Sequence, residues 1–223
     1  MSDIPHGRVF SAAAAKGGCT FNPKKAALVL IEFQNEFTSE GGKLYGSVKK
    51  VMEETDMLQK TIDVSNICRS NGIKCIYCPI SFSASMEDNP NKGLGILKGC
   101  ADGQLFVKDS WNAEICDALK PQDGDIIAKG KKGLDAFPGT DLEKKLVDNG
   151  IETVVLCGYL TNCCVESTMR TAYEKGFNVI TLKDCCATQS TEAHLAATEG
   201  TFNLFSSPMN KDDFVKMILP ESN

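Results

Sequence analysis

Ala26-Ala-Leu-Val-Leu-Ile-Glu32 is an unbroken apolar run that ends in a carboxylate. A half-buried strand would alternate apolar and polar residues. This stretch does not, so it predicts a strand covered on both faces, as in a parallel sheet. Working outward, KCIYCP over 74–79 predicts a second strand stopped by Pro79, and further strands are expected over 125–128, 153–157 and 178–182, with a candidate edge strand over 203–206. Helices are expected between them over 51–70, 112–119, 162–175, 191–202 and 211–219. Another is expected to open at Thr140-Asp-Leu-Glu143, which has capping-box spacing, and to close at Asn149-Gly150. Strands alternating with helices at this spacing predict an α/β fold: three αβα layers around a mainly parallel, doubly wound sheet of about six strands.

Residues 1–23 are small, polar and aperiodic and are expected to form an arm, leaving 24–223 as one folded unit. The segment 81–109 is rich in Gly, Asn and Ser, and a loop of that length in a compact fold is expected to wall a pocket. The net charge of −5, with Lys and Arg scattered along the chain, argues against a nucleic-acid surface. No stretch has membrane-spanning length or the pattern of a secretory leader. The cysteine count is 11, an odd number in a chain too large to need a disulfide scaffold. Reduced thiols in a cytoplasm are therefore expected, with leaderless export left open.

Ligands of such sheets sit beyond the carboxyl ends of the strands, and chemically useful residues gather there. Glu32 closes the first strand, Lys129 and Lys131 follow the third, and Cys164 lies just after the fourth, where a helix begins. A thiol in the first turn of a helix meets unpaired N–H groups and a positive dipole end, which lower its pKa. A carboxylate and an ammonium nearby could manage its proton, which is the logic of an activated nucleophile. Glu32 would need a cationic partner if buried. In extended chain Lys129 and Lys131 point the same way, so either could serve, while Lys132 is expected in solvent. Cys75 and Cys78 form a CxxC inside a strand, where they face opposite sides, and no second pair stands at zinc-ribbon spacing. Cys163 is expected to pack or to be a bystander thiol, the Cys185-Cys186 pair to pack, and Gly93 to Gly99 lacks the spacing and the preceding strand of a nucleotide loop.

Four ordered motifs carry a family resemblance: ALVLIEFQNEF (27–37), KKGLDAFPGTDL (131–142), GYLTNCCVESTMRTAYEKGF (158–177) and ITLKDCCAT (180–188). Over about 25–205 the chain resembles the isochorismatase-like cysteine hydrolases, whose fold is a Rossmann-like parallel sheet flanked by helices. The resemblance implies a catalytic acid, lysine and cysteine at Glu32, Lys131 and Cys164. Lys131 aligns without a gap to Phe137 and to Gly139-Thr-Asp-Leu; Lys129, nearer the strand end, stays open. It also implies a cis peptide between Tyr159 and Leu160 and an oxyanion hole formed by the N–H groups of Leu160 and Cys164. Phe37, Trp111, Phe137 and Tyr159 are expected to wall the substrate, with core packing as the competing role. The family usually has Asp where this chain has Glu32. The nicotinamidase branch binds a metal after the second strand, but Pro79-Ile-Ser-Phe-Ser-Ala-Ser stands there and the histidines are His6 and His194, so neither metal nor cofactor is expected. The implied activity is cysteine-dependent cleavage of a small-molecule C–N bond by a homo-oligomer. Vinyl-ether hydrolysis of isochorismate, or an inactive binding or thiol-redox protein, are the alternatives.

Overall fold

The computed structural model describes residues 21–219. The arm expected over 1–23 lies outside them except at its end, where the Phe21 ring packs edge-on against Phe214 at 5.6 Å. The six strands are β1 (Ala26–Ile31), β2 (Lys74–Cys78), β3 (Ile126–Ile127), β4 (Thr153–Tyr159), β5 (Asn178–Ala187) and β6 (Ser207–Met209). They form one sheet in the order β3-β2-β1-β4-β5-β6, and every pairing is parallel. The order grows one way from β1 to β3, then restarts on the other side of β1 with β4. β1 and β4 therefore flank the point where the winding reverses.

Every residue of β1 and of β4 is buried, which requires cover on both faces. Helices α2 (Tyr45–Thr55), α3 (Met57–Ser70), α6 (Glu166–Glu174) and α9 (Lys211–Ile218) pack against the sheet, following the short α1 (Asn35–Thr38), α4 (Gly95–Gly103), α5 (Leu142–Asp148), α7 (Thr191–Leu195) and α8 (Phe202–Phe205) in chain order where they fall between. Leu28, Val29, Leu30 and Ile31 are each at most 1% exposed. Burying such a side chain is worth roughly 1.5–3 kcal/mol, so the run that announces the fold also anchors it.

Several expected elements differ. The helix over 51–70 is two helices, because Asp56 adopts φ 53° and breaks the ladder between α2 and α3. The expected loop 81–109 contains α4, whose apolar face supplies Leu97 and Cys100 to the core. The helix over 112–119 is a pair of single 3₁₀ turns, Trp111–Ala113 and Asp117–Leu119. At α5 the Thr140 hydroxyl accepts from the Leu142 N–H at 3.2 Å, as expected of a cap, but Glu143 pairs with Lys175 instead of closing the capping box. The edge strand falls at Ser207–Met209 and α8 takes Phe202–Phe205, since Phe202 must face the core with helical spacing. β5 runs on to Ala187, so Cys185 and Cys186 are buried within the strand rather than beyond its end.

Candidate active site

Ile31, the last residue of β1, pairs with Gly158 of β4 at the winding reversal. Gly158 has φ 131°, and a Cβ there would stand 2.1 Å from the Ile31 carbonyl oxygen. Only glycine permits that approach. Beyond it both chains turn into the same crevice, the expected ligand position for an open α/β sheet. Glu32 emerges with φ 58°, in the left-handed region where a side chain is strained. Its N–H donates to the Cys78 carbonyl at 3.3 Å and its carbonyl accepts from Gln34 N at 2.7 Å. Gln34 fixes the neighbouring chain: its Nε2 donates to the Ile80 and Ala113 carbonyls at 2.8 and 2.7 Å, and its Oε1 accepts from Ile80 N at 2.9 Å.

Lys129 and Lys131 diverge. The Lys129 N–H donates to Asp141 Oδ1 at 2.7 Å and its side chain is exposed. Gly130, at φ 96°, then reverses the chain where a Cβ would meet the Gly139 carbonyl at 2.5 Å. The extended-chain parity argument fails at this glycine. Lys131 turns inward, is 3% exposed, and forms an ion pair with Glu32. Its Nζ also donates to the Gly133 carbonyl at 2.6 Å. Burial works against the Lys131 ammonium, but Glu32 and then Cys164 outweigh it and hold its pKa above the ordinary value. Lys132, expected in solvent, is half-buried and pairs with Asp88 at 2.7 Å.

After β4 a cis peptide joins Tyr159 to Leu160, and the chain enters a wide π-type turn, Thr161–Val165, that leads into α6. The turn is tied from outside: Thr161 Oγ1 lies 3.0 Å from His194 Nδ1, and Thr188 Oγ1 donates to Asn162 Oδ1 at 2.7 Å. Cys164 sits in this turn at 3% exposure. Its pKa is pushed well above the ordinary thiol value, first by its hydrogen bond with Cys163, then by burial and by Glu32, with Lys131 opposing. The same hydrogen bond holds the half-buried Cys163 below its usual value. The lowering expected from a helix start is opposed here by the Cys163 hydrogen bond and by burial beside the Glu32 carboxylate. Cys164 thus stands beside the buried Glu32–Lys131 ion pair.

Glu32 and Cys164 line one cavity of about 240 Å³, together with Leu160 and Phe37. Its remaining wall is largely the predicted pocket loop and α4, through Leu97, Cys100, Leu105 and Phe106. Glu36, buried without solvent contact, holds that wall. Its carboxylate accepts from Lys43 N at 2.7 Å, Asn112 Nδ2 at 2.9 Å and Phe106 N at 3.1 Å. The role of Glu36 was hidden in the sequence, where its partners lie up to 76 residues away. Three expected substrate contacts fall elsewhere. Trp111 is 47% exposed and lies over Gly41, Phe137 packs on Phe177 with centroids 6.2 Å apart, and Tyr159 is fully buried behind Phe37, stacked at 5.0 Å. Phe137 and Tyr159 are buried in the core, and none of the three belongs to the cavity lining. Among the described residues no group of three or more His, Cys, Asp or Glu is arranged to hold a metal, and the described cysteines are all free thiols. None of the described helices is long and apolar enough to cross a membrane.

This geometry can be set beside known proteins. The family model for the isochorismatase domain matches residues 26–213. A ureidoacrylate amidohydrolase of Agrobacterium fabrum is 30% identical over 179 residues, 74% of this chain and 77% of that protein. The crystal structure of a cysteine hydrolase from Pseudomonas syringae pv. phaseolicola superposes with a TM-score of 0.79 at 22% identity, covering 91% of this chain and 96% of that one. N-carbamoylsarcosine amidase from Thermoplasma acidophilum superposes with a TM-score of 0.68 at 25% identity, covering 84% and 97%. With a matched domain spanning every strand of the sheet and all the residues of the crevice, the chain belongs to the isochorismatase family of hydrolases.

Proposed function

We propose that the chain hydrolyses a C–N bond of a small amide or ureide, with Cys164 as nucleophile, Glu32 as proton carrier and Lys131 as the cation that keeps Glu32 ionised. The observation that carries this reading is the buried Glu32–Lys131 pair, whose Glu32 member lines the same cavity as Cys164. A neutral thiol beside a carboxylate calls for base activation at the moment of attack rather than a standing thiolate. In that sequence Glu32 accepts the Cys164 proton as sulfur bonds to the carbonyl carbon. The N–H groups of Leu160 and Cys164 receive the developing oxyanion. The C–N bond breaks as Glu32 returns the proton to nitrogen, releasing an amine or ammonia and leaving a thioester. Glu32 then takes a proton from water, whose oxygen bonds to the acyl carbon and expels the sulfur; Glu32 returns that proton to the Cys164 sulfur, restoring thiol and carboxylate, and the acid product leaves.

The amidohydrolase and amidase relatives support the C–N bond over the vinyl ether, for which a thiol is not required. Replacing Cys164 with Ala tests the assignment. Amide turnover is expected to fall at least about 1,000-fold with thermal stability little changed. Undiminished turnover would refute the nucleophile.

A further inference from the structure

The cavity lining carries more than a nucleophile. Around Glu32 and Cys164 the wall is apolar: Phe37, Leu44, Ile80, Leu105, Phe106 and Leu134 all face it. The other polar side chain in the lining is Gln189, uncharged and at the exposed edge. No Arg or Lys side chain among the described residues lines the space. Lys131 is committed to Glu32 and the Gly133 carbonyl. Lys43 is turned to the Gly103 and Gln104 carbonyls at 2.8 and 2.9 Å, and Lys132 is paired with Asp88. Taking the cavity to be the substrate site, as the proposed reading does, we infer that the substrate is an uncharged, compact amide or ureide with an apolar acyl group, and that acidic amides and the dicarboxylate isochorismate are excluded.

The reason is electrostatic. A carboxylate entering this space would lose its water, meet no cation, and lie near the negative charge of Glu32. Hydrogen bonding from Gln189 can orient a neutral polar group but does not offset a full charge. Volume sets the size. An apolar cavity of about 150 Å³ holds a benzene ring. The space of about 240 Å³ therefore fits one ring-sized apolar group together with its carboxamide. Gly99, which lines the mouth on α4, has nothing within 4 Å of a Cβ, so that end of the site has room for a longer side chain.

The test uses a matched pair, 4-methylbenzamide and 4-carboxybenzamide, which differ in charge far more than in shape. Binding is measured by calorimetry on the Cys164→Ala protein, where turnover does not interfere. The neutral amide is expected to bind at least 100-fold more tightly. Gly99→Arg, which brings a cation to the mouth, is expected to narrow that ratio at least 10-fold. Equal or tighter binding of the acidic amide overturns the inference, as does binding of neither, or a ratio that Gly99→Arg leaves unmoved. The outcome is separable from the nucleophile assignment. Turnover that survives Cys164→Ala removes the thiol from the mechanism while leaving the charge preference intact; turnover that dies with the thiol but favours acidic amides refutes the charge preference alone.

Discussion

Lys131 and Glu32 are each within a few percent of complete burial, so each is the other's main compensation for lost hydration. Lys131→Met would leave the Glu32 carboxylate unpaired and is expected to destabilise the fold by about 3–5 kcal/mol, read from urea denaturation. Adding Glu32→Gln should recover much of that stability without recovering activity, because the double variant removes the charge problem but not the need for a proton carrier. A double variant no more stable than Lys131→Met would show that the pair is not the compensating unit. The Lys131 pKa is raised, so its share of stability is complete below the unfolded value of about 10.4 and is lost as pH rises from there through the higher folded value. At this scale the sequence was informative wherever a residue sits at a strand end, which is why Glu32 and Cys164 could be named from position. It could not separate Lys129 from Lys131, because the separation is made by the left-handed turn at Gly130, invisible to any argument from extended-chain parity.

Elements bring these residues together through close backbone approach. Gly158→Ala would drive a methyl group into the Ile31 carbonyl and must part β1 from β4 at the crevice. The expected cost is roughly 2–4 kcal/mol in stability, with a fall in kcat because the Glu32 and Leu160 backbones both move. Retention of full activity and stability would mean the approach is not needed. Glu36→Gln tests the pocket wall differently. An amide offers one acceptor oxygen where three donors converge, leaving a buried donor facing an NH2 group. A loss of at least about 2 kcal/mol is expected, with KM rising more than kcat falls, since Phe106 forms wall rather than reacting groups. Long apolar runs and Gly-closed helices made β1, β2, β4, α3 and α6 legible. The break at Asp56, the displaced edge strand and the outward or packed settings of Trp111, Phe137 and Tyr159 were not, because tertiary packing decides them and local pattern does not.

The whole molecule is a reservoir of buried thiols. Burial pushes Cys75, Cys78 and Cys186 each up to about 12. In the unfolded chain these groups ionise near 8.5, so below that pH both states hold the proton and stability is unaffected. Above it the unfolded chain releases protons that the folded chain keeps, and stability falls until the folded values are reached, by about 1.4 kcal/mol per pH unit for each thiol. Urea midpoints under reducing conditions should therefore decline steadily above about pH 8.5, and a Cys75→Ala, Cys186→Ala protein should show a shallower slope. A flat profile to pH 10 would contradict the burial of these thiols. The family resemblance also implies a homo-oligomer, which light scattering on the full chain would test by a mass at least twice that of one chain. The fold class was legible at this scale because alternating strands and helices admit few arrangements, whereas the exact cavity lining depends on a segment with little periodicity.

The central claim is that the Cys164 sulfur carries the acyl group during turnover. Rapid acid quench during hydrolysis of an uncharged amide, followed by intact-mass and peptide analysis, tests it directly. The account predicts a transient mass increase equal to the acyl group, located on the peptide containing Cys164 and absent from the Cys164→Ala protein. Turnover with no acyl adduct at any time, or an adduct on another residue, would contradict it.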